Sequence, residues 1–290
     1  ARYCAQEYES LDERGLCRLI GCEVPCGPRT LPPQPDAFFR NSGAPDYTLA
    51  PAGVPAGLSG VDASYGFQPA FLDVDDDGDL DLYVTNDSEF NFLFVNDGAG
   101  QFEESGLLSG AACGRTGSME AGMGLAVGHL DDDAYPELWV TNFSTQNHSL
   151  YHNETEAGGM PWFEEISSRS GTGRATWFPL GWGANLGDLD NDGQTDVFAA
   201  NGHIYPQVDG CQPDLVVYDQ RCSVFTGTAE PLRFVDRTGR VGAGLSDASS
   251  HRASVLADLD DDGRLDVVLS RLDRTPRLAW NDTADAGHWL

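Results

Sequence analysis

Hydrophobic residues in this chain fall in short runs rather than helical stripes. Apolar stretches at 69–72 (PAFL) and 254–257 (SVLA) lead into acidic segments. Alternating or β-branched stretches follow: LDLYV at 80–84, DVFAA at 196–200 and LDVVL at 265–269. Runs of this length, rich in Val, Phe and Tyr and ended by Asn, Asp or Gly, predict strands. A further strand is predicted at 91–97 (NFLFVND), 148–153 (HSLYHN) and 277–282 (RLAWND). Another, carrying Phe and acids, is predicted at 101–105, 162–167 and 232–238. That makes about four strands per unit.

The acidic segments between strands are one loop that recurs. It reads DVDDDGDLD from Asp73, DLDNDGQTD from Asp188 and DLDDDGRLD from Asp258. Oxygen donors at alternate positions suit a hard cation such as calcium, which takes six to eight oxygen ligands. The loop is not an EF-hand. Position 12 is Val84, Ala199 or Leu269 where that motif needs a bidentate Glu, and the flanks are strands. The expected ligands are Asp73, Asp75, Asp77 and Asp81, with Asp79 giving its backbone carbonyl. The same roles fall to Asp188, Asp190, Asp192, Gln194 and Asp196, then to Asp258, Asp260, Asp262, Arg264 and Asp266. Gly78 permits positive φ at the sharp turn. An eroded copy, HLDDDAYPE, runs from His129. It keeps Asp131, Asp133, Tyr135 and Glu137 but has Ala134 in place of Gly, so a weak, altered or empty site is expected there. The count is about three to four Ca2+ per chain. Three copies in one strand context favour metal loops over solvated acidic turns.

Loop starts at 73, 129, 188 and 258 define a repeat, with an insertion around Cys211 to Cys222 lengthening the third interval. Four-stranded repeats with a periodic Asp/Gly signature predict an all-β fold, a β-propeller of four-stranded blades joined by DxDxDGxxD loops. Residues 38–66 read as a half blade. Full repeats are expected near 67–110, 120–170, 180–240 and 250–290, and residues 1–37 form a Cys/Pro-rich cap.

These loops resemble those of FG-GAP/VCBS repeats. The segment GWGANLGDLDNDGQTDVFAANGHIYPQV at 181–208 and the closing AWNDTADAGHWL at 279–290 resemble the ASPIC/UnbV (cartilage acidic protein-like) family. The resemblance covers roughly residues 38–290. It implies an extracellular calcium-binding propeller, and family members usually continue past the point where this sequence ends. Fold alone does not assign an activity.

The formal charge of −29 argues against nucleic-acid binding, which needs basic patches. No apolar run approaches the ~20 residues of a membrane span. All 17 basic residues are Arg, which removes lysine Schiff bases and P-loop lysines. No G-x-S-x-G, H-E-x-x-H or P-loop is present, so no enzymatic activity is expected. His203 is the best isolated candidate for chemistry, although a packing histidine is the favoured reading.

Seven cysteines suggest disulfides. Cys4, Cys17, Cys22 and Cys26 are expected to staple the cap, and Cys211 with Cys222 to close the insertion, leaving Cys113 over. A start at Ala1 fits a mature secreted form. Asn86, Asn142, Asn147, Asn153 and Asn281 stand in glycosylation sequons, though Asn also favours such strand ends. The leading expectation is a secreted or cell-surface calcium-binding adhesion or assembly module. It could form a homo-oligomer or filament by pairing of terminal strands, or bind an extracellular protein or glycan. The alternative is a propeller that binds or cleaves polysaccharide.

Overall fold

The computed structural model describes residues 16–51, 57–58 and 61–283. Four antiparallel sheets follow one another along the chain. Sheet I is β5 (Gly66–Leu72), β6 (Asp81–Asn86), β7 (Phe92–Asn96) and β8 (Phe102–Glu104), hydrogen-bonded in chain order. Sheet II repeats the order with β9 (Leu125–Gly128), β10 (Glu137–Val140), β11 (Ser149–Asn153) and β12 (Phe163–Glu165). Sheet III has β13 (Gly181–Gly187), β14 (Asp196–Asn201), β15 (Ser223–Gly227) and β16 (Phe234–Asp236). Sheet IV has β17 (His251–Ala257), β18 (Asp266–Arg271) and β19 (Arg277–Ala279) among the described residues. One-turn helices α1 (Gly106–Ser109), α2 (Ser167–Ser170) and α3 (Ala243–Ser246) follow β8, β12 and β16. Among the described residues no helix is long and apolar enough to cross a membrane.

The period of two along each second strand sends alternate side chains to opposite faces. Tyr83 faces sheet II, where it joins Leu138, Val140 and Tyr151, while Leu82 and Val84 face the other way. Trp139 meets Val197 and Phe225 of sheet III. Phe198 and Ala200 meet Val267 and Leu269 of sheet IV. Covered on both faces, β6 and β14 are buried along their whole length. In β18 Val268 is only partly buried, because among the described residues no sheet covers that side. Burying such a Val, Leu or Phe contributes ~1.5–3 kcal/mol, so the stack rests on these three inter-sheet seams. Gly124 makes close stacking possible near the first strands: a Cβ there would stand 1.6 Å from the Trp182 carbonyl oxygen. Face-to-face stacking in series is how successive propeller blades pack. None of the buried clusters of the described residues joins sheet IV back to sheet I.

Ahead of the sheets stand two hairpins. β1 (Leu16–Leu19) pairs with β2 (Cys22–Pro25), and β3 (Phe39–Asn41) with β4 (Leu49–Pro51). The first packs Leu19, Cys22 and Val24 on Tyr205, Val208 and Val216 of the insertion before β15. That insertion displaces β15, a strand absent from the motif-based list. The second hairpin is exposed throughout.

The cysteine expectation needs correction. Cys17 and Cys26 form a disulfide, whereas Cys22, Cys211 and Cys222 are free thiols. Cys222 turns into the core shared by sheets III and IV, while Cys211 lies exposed beyond the one-turn 3-10 helix Pro206–Gly210, so the two do not close the insertion. The Cys211 thiol instead lies against Cys22, whose own thiol is pushed up to about 11 by burial and by this neighbour. Cys113 is also free, and Cys4 lies outside the described residues.

Candidate metal centre

All four acidic loops join the first strand of a sheet to the second. Leu72 pairs with Asp81, Gly187 with Asp196 and Ala257 with Asp266, so the closing acid sits in the same register each time. In loop I (73–81) the amides of Asp77 and Gly78 donate to the two Asp73 carboxylate oxygens at 3.2 and 2.9 Å, and the Asp79 amide donates to Asp77 at 2.9 Å. Loop III (188–196) repeats this through Asp188 and Asp192 at 3.1, 2.8 and 2.8 Å. Loop IV (258–266) repeats it through Asp258 and Asp262 at 3.2, 2.8 and 2.9 Å. Such local side-chain bonds fold the turn. They require left-handed residues at two places, met by Asp76, Asn191 and Asp261 at φ between 54° and 60° and by Gly78, Gly193 and Gly263.

The closing acids are buried and each receives two amides. Asp81 accepts from Val74 at 2.9 Å and Asn96 at 2.8 Å, and Asp196 accepts from Leu189 and Gly227, both at 2.8 Å. Asp266 is held the same way by Leu259 and Asn281. Position 3 contrasts with this. Asp75 Oδ1 and Asp190 Oδ1 are buried without a hydrogen-bond partner. Asp73, Asp75 and Asp81 each bring a carboxylate oxygen within 4.8 Å of the others, as do Asp188, Asp190 and Asp196. Burial raises Asp81 to about 6 and Asp196 to about 7; the donated amides oppose the shift and the neighbouring aspartates add to it. Burial, then the adjacent carboxylates, also raise Asp75 and Asp190. A divalent cation would reverse these penalties, so loops I and III can hold one. Loop IV brings together Asp258, Asp260 and Asp262 instead, without Asp266. There the Arg264 guanidinium pairs with Asp262, so a cation at that loop competes with an internal one. Asp77, Asp79, Asp192 and Gln194 lie in the loops but outside the tight clusters.

Residues 73–140 match the family model of the FG-GAP-like repeat. This supports the FG-GAP family for the repeats. No curated protein matches the chain. The matched FG-GAP-like stretch runs from loop I through β10, so it contains loops I and II, and loops III and IV follow it with the same strand context.

Asparagines stitch one sheet to the next. Asn153, at the end of β11, donates to the Val74 carbonyl in loop I at 2.9 Å. Asn281, after β19, donates to the Leu189 carbonyl in loop III at 2.7 Å. The same kind of bond engages the side-chain nitrogens at three of the sequons. Asn86, Asn142 and Asn153 are buried, with side-chain nitrogens spent on Phe90 O, Asn147 O and Val74 O. A glycan on that nitrogen would displace the bond. Asn147 and Asn281 are part-buried, and their amides are likewise engaged, by Ser167 and Leu189.

Loop II (129–137) departs from the others. His129 is exposed, and neither Asp132 nor Ala134 takes positive φ. Asp133 and Tyr135 stand at the turn, linked by an amide-to-carboxylate bond of 2.8 Å, while Asp131 and Glu137 come together with His152. The repeat motif gave no sign of His152, which lies on β11 one residue before Asn153. His203 is a packing residue. It is buried between Phe143 and Tyr205 at ring distances of 5.5 and 5.6 Å, and burial lowers it to about 4.

Proposed function

We propose that this chain is an extracellular calcium-binding β-propeller module without enzymatic activity, acting in adhesion or assembly. The observation that carries the reading is the pair of orphaned buried oxygens on Asp75 and Asp190, each facing two further carboxylates. Oxygen-only clusters of this kind suit calcium, and the FG-GAP-like repeat and the Cys17–Cys26 disulfide accord with an oxidising, extracellular setting. Assembly draws support from two features. The β3–β4 hairpin exposes Phe39, Tyr47 and Leu49, and sheet IV exposes Val255, Leu278 and Trp280. Light scattering with and without chelator tests the reading. Calcium-dependent oligomers or filaments support it, and a monomer indifferent to chelation overturns the assembly role.

One observation favours the glycan reading as a second possibility. The Arg252 guanidinium lies 4.3 Å over the Trp182 ring, and Phe67, half exposed, stands 5.8 Å from that ring. Aromatic faces beside an Arg can hold a sugar. A glycan array with no hit that depends on Trp182 removes this reading.

A further inference from the structure

Unit II has changed in two places at once. Its loop lost the first Asp and the Gly, and its third strand gained a histidine. The residue before the strand-ending Asn is Val95 in sheet I and Trp280 in sheet IV, but His152 in sheet II. His152 Nε2 stands 3.1 Å from Asp131 Oδ2. Asp131, Glu137 and His152 each present one ligand atom within 4.8 Å of the others. Glu137 is fully buried. Its Oε2 accepts the Leu130 amide at 2.8 Å, while its Oε1 has no hydrogen-bond partner. The Asn153 amide, counterpart of the one bonded to Asp81, is near this carboxylate but closes no hydrogen bond of normal geometry on it.

This donor set no longer suits calcium. One oxygen ligand is gone, and an imidazole nitrogen has entered. Nitrogen with carboxylate oxygen at low coordination number selects a borderline first-row ion such as zinc. On the outer face of the histidine a carboxylate stands close, although Nδ1 closes no hydrogen bond on it. His152 Nδ1 lies 3.4 Å from Glu154 Oε1, and Arg169 holds that region through Glu154 at 3.6 Å and Glu164 at 2.8 Å. A carboxylate behind a ligating histidine fixes its tautomer and orientation.

We propose that loop II is a zinc-class transition-metal site formed by Asp131, Glu137 and His152 Nε2, with Glu154 positioning the histidine. It does not depend on calcium in the other loops. The alternative is a metal-free contact, in which His152 Nε2 simply hydrogen-bonds Asp131 where a cation would stand.

The test titrates the full chain with Co2+ as an optical probe, and with Zn2+ by calorimetry, in millimolar calcium. The expected result is one tightly bound ion per chain that calcium does not displace, with Zn2+ displacing Co2+. His152→Asn and Asp131→Asn abolish it, Glu154→Gln weakens it by about 10–100-fold, and His129→Ala and Asp75→Asn leave it intact. Three results overturn the proposal: no binding in calcium buffer, displacement of Co2+ from the unmodified chain by calcium, or equal binding by His152→Asn. The second needs no variant, so the test stands even where a substitution impairs folding.

Discussion

Replacing Asn153 by Ala removes a tie between sheets I and II. The side-chain amide reaches the Val74 carbonyl at 2.9 Å, and Val74 and Asn153 are both fully buried. Its Oδ1 also accepts the Thr155 amide at 3.1 Å. A buried carbonyl left without a donor costs about 1–3 kcal/mol, and the lost turn bond about 0.5–1.5 kcal/mol more. The expected loss is therefore roughly 2–4 kcal/mol, or on the order of 5–10 °C in a chain this size. Asn96 is the internal control. It holds the matching place in sheet I and accepts a like turn bond from Gly98 at 3.2 Å, but it donates to Leu80 of its own unit at 3.1 Å near the surface, where water replaces a lost partner, so Asn96→Ala should cost only ~0.5–1.5 kcal/mol. Urea and thermal unfolding of both variants, at fixed calcium, measure the difference. Equal losses would refute the inter-sheet role of Asn153.

Asp75→Asn and Asp190→Asn should each lower the bound-calcium count by one, while Asp132→Asn, at an exposed position outside the clusters, should not; elemental analysis decides. Glu120 is half-buried against Ser149 and Asn142, and loss of hydration there raises it to about 7. Because its folded value lies above the ordinary ~4.3, the folded state binds the extra proton between about pH 4 and 7, and stability falls as pH rises through that window. Glu120→Gln should remove that fall and stabilise the protein above pH 7, by on the order of 3 kcal/mol at 1.36 kcal/mol per pH unit; a pH series of unfolding midpoints with an unchanged slope would contradict this. Peptide mapping of protein oxidised in its native state should find Cys17–Cys26 and a second bridge from Cys22 to Cys211, never Cys211 to Cys222.

Strands and loops were legible because their signals are local. Alternation at 80–84 and the acids at 73–81 need no distant partner to be read, and β6 and loop I lie where the pattern put them. The third strand of unit III was hidden because the insertion moved β15 away from its loop. His152 was hidden for a related reason: a ligand supplied by a neighbouring strand has no fixed spacing from the loop that it completes. The N-terminal staple was legible in Cys17 and Cys26, but the Cys211–Cys222 pair went astray because spacing along the chain does not tell which side of a strand a thiol leaves from. The sequons are ambiguous because one amide does two jobs in sequence language, glycan acceptor and strand-end staple, and the staple bonds emerge only in the folded chain. Arg264 shows the same limit. Position 7 tolerates it as a backbone ligand, but its side chain folds back onto Asp262.

We propose that oxygen clusters in the repeated loops bind calcium and hold the stack together. The most direct measurement is the calcium content of the native protein, with its unfolding midpoint before and after chelation. About three ions per chain are expected, with loop IV the first to empty, and a marked drop in the midpoint on their removal. A site filled at 100 times its dissociation constant adds ~2.7 kcal/mol. Protein that carries no calcium, and unfolds at the same midpoint with and without chelator, would contradict it.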